Sequence, residues 1–381
     1  MEILKEKKVL ISGASFAGLS TAYWMNKLGY HVTVVEIANE LRKGGTPVDI
    51  RENTVDIVKS MGIFEQIKSN RLKMETMEFK NADDVAEHFS LLKKEGEEIT
   101  DDECEIERDI LLNILFDTVK NDVEFIFNTS ITALNETKED IQVTLKNGSQ
   151  HAFDLVFGCD GLHSAVRKIW FGDEAEYQHF LEQYFSITIV DKLLIKQNTS
   201  QMYNVPGKAI MLNAYNNKTD IVLCFFSEKE ILYDYRDQEQ QRKIILEQFA
   251  GQSWRTAELL EEVQHTKTFY FDKLCQIKMP SWTKGRVALV GDAAYCASPA
   301  AGMGGSLAIN GAAALADAMQ KNKGDYELAF QDYNQNLRPF IEEVQANAVK
   351  FGLEMLVPRT EEAIRERNAQ LSATLDTAKH D

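Results

Sequence analysis

Apolar residues enter this chain in short unbroken runs. Val9-Leu10-Ile11 stops at Gly13, the pattern of a strand buried on both faces. Ala17, Leu19, Ala22, Trp24, Met25 and Leu28 follow at helical spacing, with Gly29 as the C-cap. His31 to Glu36 then reads as a second buried strand carried by Val32, Val34 and Val35. The first forty residues therefore predict a βαβ unit, and with it a parallel sheet.

Further on, the spacing of Ile110, Leu111, Ile114 and Leu115 predicts a helix over 105–119, followed by a strand from Val123 to Phe127. Ile141 to Leu145 alternates, meets Asn147-Gly148 and resumes toward Phe153, which predicts a hairpin. Leu155-Val156-Phe157 and Val287 to Val290 are two more buried-strand candidates. From Phe185 to Phe226 the runs Phe185–Val190, Ala209–Leu212 and Ile221–Phe226 succeed one another without helical spacing between them, which points to an inserted, mostly antiparallel sheet. From Tyr326 onward the pattern is helical, with breaks expected at Pro339 and Pro358. The fold expected is α/β: a Rossmann-type domain, an inserted antiparallel substrate domain and C-terminal helices.

Composition narrows the function. The 381 residues, 44% hydrophobic and 27% charged, suffice for a large core. A net charge of −17 argues against nucleic acid and anionic membrane as partners. The acidic run from Glu95 to Asp109 reads as a solvated loop. No basic segment leads into an apolar stretch at the N-terminus, and no run nears the ~18 apolar residues of a membrane span, so a cytoplasmic protein is expected. Five cysteines, widely spaced and without CxxC, fit a reducing compartment, and seven histidines form no metal-binding pattern.

Against that negative field, an anionic cofactor needs helix N-termini and placed arginines. Gly13-Ala14-Ser15-Phe16-Ala17-Gly18 lies between the first strand and helix, where a dinucleotide fingerprint would sit; Ser15 stands at the usual middle glycine. Glu36 ends the second strand, where an acid binds the adenosine ribose. Two competing motifs fare worse: Leu19 occupies the position of the P-loop lysine, and the nucleophile-elbow echo in Gly13-x-Ser15-x-Ala17 has no histidine partner.

Two further segments complete the picture: Asp154 to Arg167, containing Asp160-Gly161, and Arg286 to Tyr295, containing Gly291-Asp292 and followed by Pro299, Gly302, Gly304 and Gly305. Together the three motifs resemble, in order and over nearly the whole chain, the class A FAD-dependent monooxygenases of the aromatic-hydroxylase fold. Arg42 to Arg51 is similar to a stretch of the tetracycline-inactivating members. The resemblance implies that Gly13, Ser15, Ala17 and Gly18 hold the FAD pyrophosphate and Glu36 the ribose. Arg108 would reach the phosphate or ribityl region, Asp160-Gly161 would serve FAD and coenzyme, and Gly291-Asp292 the ribityl chain. Pro299 and Gly302 to Gly305 would line the flavin ring, with Arg42 near the coenzyme path and Asp49 near the flavin.

It also implies the chemistry. NADPH or NADH would reduce FAD, and reduced flavin would react with O2 to give a C4a-hydroperoxide that hydroxylates an aromatic or polycyclic small molecule. No side chain is assigned as acid, base or metal ligand. Tyr295 in place of a common histidine, and Asn310-Gly311 in place of an acidic pair, depart from the family pattern. His163 reads as a surface or packing residue, and Phe269-Tyr270-Phe271 as core. The expected organisation is FAD-binding segments at 1–75, 105–175 and 276–345, substrate segments at 76–104 and 176–275, and a helical segment at 346–381, in a monomer. A flavin oxidoreductase that inserts no oxygen is the alternative.

Overall fold

The structure, a computed structural model, describes residues 7–91 and 102–377; the first part of the acidic run, 95–101, lies outside them. Lys8–Ser12, Phe16–Leu28 and His31–Val35 form the βαβ unit, with Gly29 left-handed at the helix end (φ 96°). Lys8–Ser12 is central in a six-stranded sheet. It pairs in parallel with His31–Val35 on one side and with Leu155–Gly158 on the other. Glu124–Ile126 and Val287–Leu289 extend the sheet in parallel, and Thr283–Lys284 closes one edge as an antiparallel hairpin arm. Val9, Ile11, Val34, Val156 and Phe157 are buried because helices cover both faces, which is why these runs are continuous rather than alternating. The Asn147-Gly148 hairpin pairs Ile141–Leu145 with Gln150–Phe153.

The inserted sheet has seven strands in the order Phe269–Ile277, Gln178–Val190, Lys218–Phe226, Lys208–Tyr215, Thr199–Val205, Thr76–Lys80 and Ala86–Leu91. All neighbours are antiparallel except Thr199–Val205 with Thr76–Lys80. Alternation sorts its side chains. Tyr184, Leu223 and Phe225 face the helices Gln238–Phe249 and Thr256–His265, which bury Ile245, Phe249, Leu259 and Val263 against them. Phe185, Ile187, Val222 and Leu274 face the other way, with Val357.

Three local expectations are corrected. The helix begins at Arg108, not at 105, because Cys104–Ile106 forms a short strand paired with Val48–Ile50 that buries Ile106 completely. The insertion also carries the two covering helices beyond Phe226. Pro339 does not break the C-terminal helix, which runs from Tyr326 to Asn347. Pro339 and Gln335, whose carbonyl loses its donor, both lie on the exposed side, where water replaces the missing bond. Arg338 pins that turn by donating to the carbonyls of Met279 (3.1 Å) and Pro280 (3.2 Å) and stacking over Trp282 at 4.4 Å. The break at Pro358 is present.

Candidate functional site

The three motifs meet at the C-terminal edge of the parallel sheet, where ligands gather in doubly wound folds. Gly13 turns the chain with φ 102°; a Cβ there would lie 2.5 Å from the Cys159 carbonyl oxygen and 3.1 Å from Asp160 Cα. The Asp160 segment therefore packs directly on the first turn, and only glycine permits it. An added Cβ on Gly18 would strike the Gly13 carbonyl. Ala17, Gly291 and Ala308 bring three elements together: a Cβ on Gly291 would sit 3.0 Å from that of Ala17 and 3.6 Å from that of Ala308.

Ser15 is the N-cap of the first helix but makes no side-chain cap. Its hydroxyl instead accepts Arg108 Nη2 at 3.2 Å, while Nη1 donates to the Arg42 carbonyl at 3.1 Å. Arg108 also stacks over Phe16 at 5.1 Å. Burial holds its pKa below the ordinary arginine value, with Asp109 opposing that shift. The first helical turn carries no acid, so its unpaired N–H groups, the helix dipole and the Arg108 guanidinium present positive potential in one place. Glu36 lies across the turn. Its Oε2 accepts the Ala14 N–H and its Oε1 the Ala38 N–H, 2.8 and 2.9 Å, which orients a carboxylate with acceptor capacity to spare.

Asp160 points elsewhere. Its Oδ1 accepts the Ser164 hydroxyl at 2.5 Å and its Oδ2 the Val166 N–H at 3.1 Å, so both oxygens serve the start of the helix Ala165–Trp170. Asp292 opens the short helix after Gly291; burial raises its pKa, against the Cys296 thiol, Arg108 and Arg167.

The loop Pro299–Gly305 leads into the helix Gly304–Lys321. Ser298 caps the Pro299 turn by accepting the Ala300 N–H, and Gly302 ends it left-handed (φ 66°). Gly304 has open space about it; a Cβ on Gly305 would meet Val48 Cγ1 at 2.5 Å. Val48–Ile50 is thereby held against this helix start, and Ser306 Oγ donates to the Asp49 carbonyl at 2.7 Å. The Asp49 carboxylate pairs with Arg51 at 2.9 Å. Across the two-stranded ladder it faces Glu105, which burial and Asp49 push up to about 7. The Arg42 side chain is exposed, so Arg42 joins the group through its carbonyl alone.

Both departures from the family pattern belong to one contact. The Tyr295 hydroxyl is packed where a Gly311 Cβ would be, bonded to Tyr333 at 3.0 Å, and Tyr333 donates to the Leu289 carbonyl. Asn310 donates to Thr54 at 2.7 Å.

Two sequence readings change. His163 is not a bland surface residue: Nδ1 lies 3.0 Å from Glu174 and Nε2 3.2 Å from Asp272. Phe269 and Phe271 are core, but Tyr270 is 39% exposed, on the strand face it shares with Asp272 and Leu274. The period-2 alternation of Phe269–Ile277 carried that signal.

A helix N-terminus without acids, a half-buried arginine, an oriented carboxylate and a second helix start fit a dinucleotide with an anionic diphosphate. The comparisons agree. A family model described as FAD binding domain matches residues 6–348. A flavin-dependent monooxygenase of Legionella longbeachae serogroup 1 (strain NSW150) is 35% identical over 354 residues, 92% of this chain and 88% of that protein. The crystal structure of tetracycline destructase Tet(51) superposes with TM-score 0.86 at 34% identity, covering 98% of this chain and 97% of that one. That of tetracycline destructase Tet(55) gives 0.84 at 32% identity, with the same coverage. On its sequence, its fold and this cofactor cradle, the chain belongs to the FAD-dependent monooxygenases, enzymes of the FAD-binding-domain family.

Proposed function

We propose that this enzyme hydroxylates a tetracycline-like polycycle, taking its electrons from NADPH or NADH and its oxygen atom from O2. The observation that carries the substrate class is the likeness to the two tetracycline destructases over 98% of the chain.

Gly13, Ser15, Gly18 and Arg108 would hold the FAD diphosphate, Glu36 the adenosine ribose and Asp292 the ribityl chain. Bound FAD supplies the redox chemistry, accepting hydride and activating O2. The protein's share is electrostatic. The start of the helix Gly304–Lys321 turns its positive dipole end toward the loop that would line the ring, and favours negative charge there. Asp49 and Glu105, beside the same helix start, are carboxyls that burial inclines toward the neutral form.

Among the described residues no helix is long and apolar enough to cross a membrane. Cys159, Cys224, Cys275 and Cys296 are buried free thiols, which supports a reducing, cytoplasmic setting. A monomer that meets only its small-molecule substrate, coenzyme and O2 completes the reading.

The test is an absorption spectrum of the purified protein, followed by anaerobic NADPH or NADH, with and without tetracycline. Bleaching of a flavin spectrum, faster with tetracycline, and an oxygenated product after air is admitted are expected. Coenzyme oxidation that releases only H2O2 with every polycycle offered would refute oxygen insertion into this substrate class.

A further inference from the structure

A polar chain crosses from the Asp160-Gly161 loop to the inserted sheet. Glu174 Oε1 and Asp272 Oδ2 flank His163 on its two ring nitrogens, at 3.0 and 3.2 Å. Each contact needs a donor, and only imidazolium donates from both nitrogens. Asp272, 3% exposed, also accepts the Tyr270 hydroxyl at 3.1 Å, the Tyr233 hydroxyl at 2.6 Å and the Lys273 N–H at 2.8 Å. The Tyr270 ring leans on Phe185, with centroids 5.4 Å apart, on the flank where Arg108 and Asp292 are near enough to act on its phenol. Thr268, two residues before it, lies against the Gly44 turn.

We propose that Tyr270 is a further FAD contact, a phenol held over the cofactor trough by the Glu174–His163–Asp272 chain, and that the His163 cation tunes FAD affinity. This rests on FAD occupying that trough. None of the three motifs includes Tyr270, and its exposure beside Arg108 is what a bound cofactor would cover.

Charged, amide and aromatic side chains surround His163. Arg167 donates to Glu174 at 2.9 Å, and Gln178 donates to the other Glu174 oxygen at 3.1 Å. Tyr235 stacks on the imidazole at 4.5 Å, with Arg236 over the far ring, and Lys273 pairs with Glu230. Burial disfavours the charged ring, but the hydrogen bonds to Asp272 and Glu174 prevail and push its pKa up to about 9. In the folded protein the clasp is therefore intact at pH 7 and is lost as pH rises through about 9. Losing that proton leaves Asp272 without its cation and adds one negative charge beside a trough that must take a diphosphate.

The experiment is FAD titration of the apoprotein, followed by flavin fluorescence quenching, at pH 7, 8 and 10, for wild type, Tyr270→Phe and His163→Gln. Apoprotein melting is recorded in parallel. Wild type is expected to bind FAD about tenfold more weakly at pH 10 than at pH 7 (one lost charge-assisted contact). Tyr270→Phe should bind about fivefold more weakly at every pH, while the apoprotein stays folded and its melting falls only by the lost bond to Asp272. His163→Gln should bind at all three pH values as wild type does at pH 10. A Tyr270→Phe protein that binds FAD like wild type overturns the contact, and a His163→Gln protein that keeps the pH dependence overturns the coupling. Failure of wild type to bind FAD at any pH would instead remove the cofactor reading on which both depend.

Discussion

Gly311→Ala tests whether the two departures from the family pattern are one device. In open helix, glycine to alanine stabilises by about 1 kcal/mol. Here the new Cβ would land on the Tyr295 hydroxyl and 2.9 Å from its Cζ. Tyr295 is 1% exposed, wedged by Trp282 at 4.7 Å and tied to Tyr333, so the ring has nowhere to swing. Overpacking of this kind costs about 1–3 kcal/mol, leaving a net loss of up to about 2 kcal/mol after the helix gain. Tyr295→Phe removes the hydroxyl and one neutral hydrogen bond, about 1 kcal/mol, because Tyr333 keeps the Leu289 carbonyl. Additivity would put the double variant about 1–3 kcal/mol below wild type. With the hydroxyl gone the clash largely goes too, so the double variant should lie within about 1 kcal/mol of wild type, a coupling of up to about 2 kcal/mol. Urea unfolding of the four apoproteins measures this directly. A stabilised Gly311→Ala protein, or an additive double variant, would show that the pocket yields and that Gly311 is not there to admit Tyr295.

Three more outcomes are expected. Gly18→Ala drives a Cβ into the Gly13 backbone carbonyl, which cannot move aside, so FAD titration should show at least a hundredfold weaker binding, well beyond a helical propensity effect. Arg108→Ala removes the guanidinium from Ser15 and from the cofactor cradle; charged hydrogen bonds of about 1.5–3 kcal/mol predict FAD binding weakened about ten- to hundredfold by the same titration, and unchanged affinity would remove Arg108 from the site. Glu105 has a folded pKa of about 7, above its ordinary 4.5, so native protein holds that proton longer than unfolded chain does. Stability is then greatest below 4.5 and falls as pH rises toward about 7. Glu105→Gln should abolish that fall and out-stabilise wild type by about 2–3 kcal/mol at pH 8 relative to pH 4.5, read from urea midpoints; a gap that does not change with pH contradicts the burial argument.

Much of the fold was legible because local rules and global structure agree here. Val9 to Ile11 and Val32 to Val35 are unbroken apolar runs, which only a covered parallel sheet accommodates. Gly29 and Asn147-Gly148 encode a helix end and a hairpin through backbone conformation alone. The glycine motifs were readable for a related reason: Gly13 and Gly18 sit where backbones come too close for a side chain, and Gly291 turns the chain with φ 70°. Pro339 misled, because proline's penalty depends on whether the orphaned carbonyl is buried, and sequence does not say which side of the helix faces water. Glu105 misled as well, since three residues can join a strand only if a partner, here Val48–Ile50, arrives from elsewhere.

Residue types and turn chemistry along the chain thus determined the βαβ unit, the order of the three motifs and the demand for an anionic cofactor. Tertiary structure alone decided that Asp160 caps a helix, that Tyr295 and Gly311 share one space, and that His163 meets Asp272, 109 residues away. Short-range periodicity states which face of an element is buried; it is silent on what buries it, and pairings of that kind exist only once distant elements have packed.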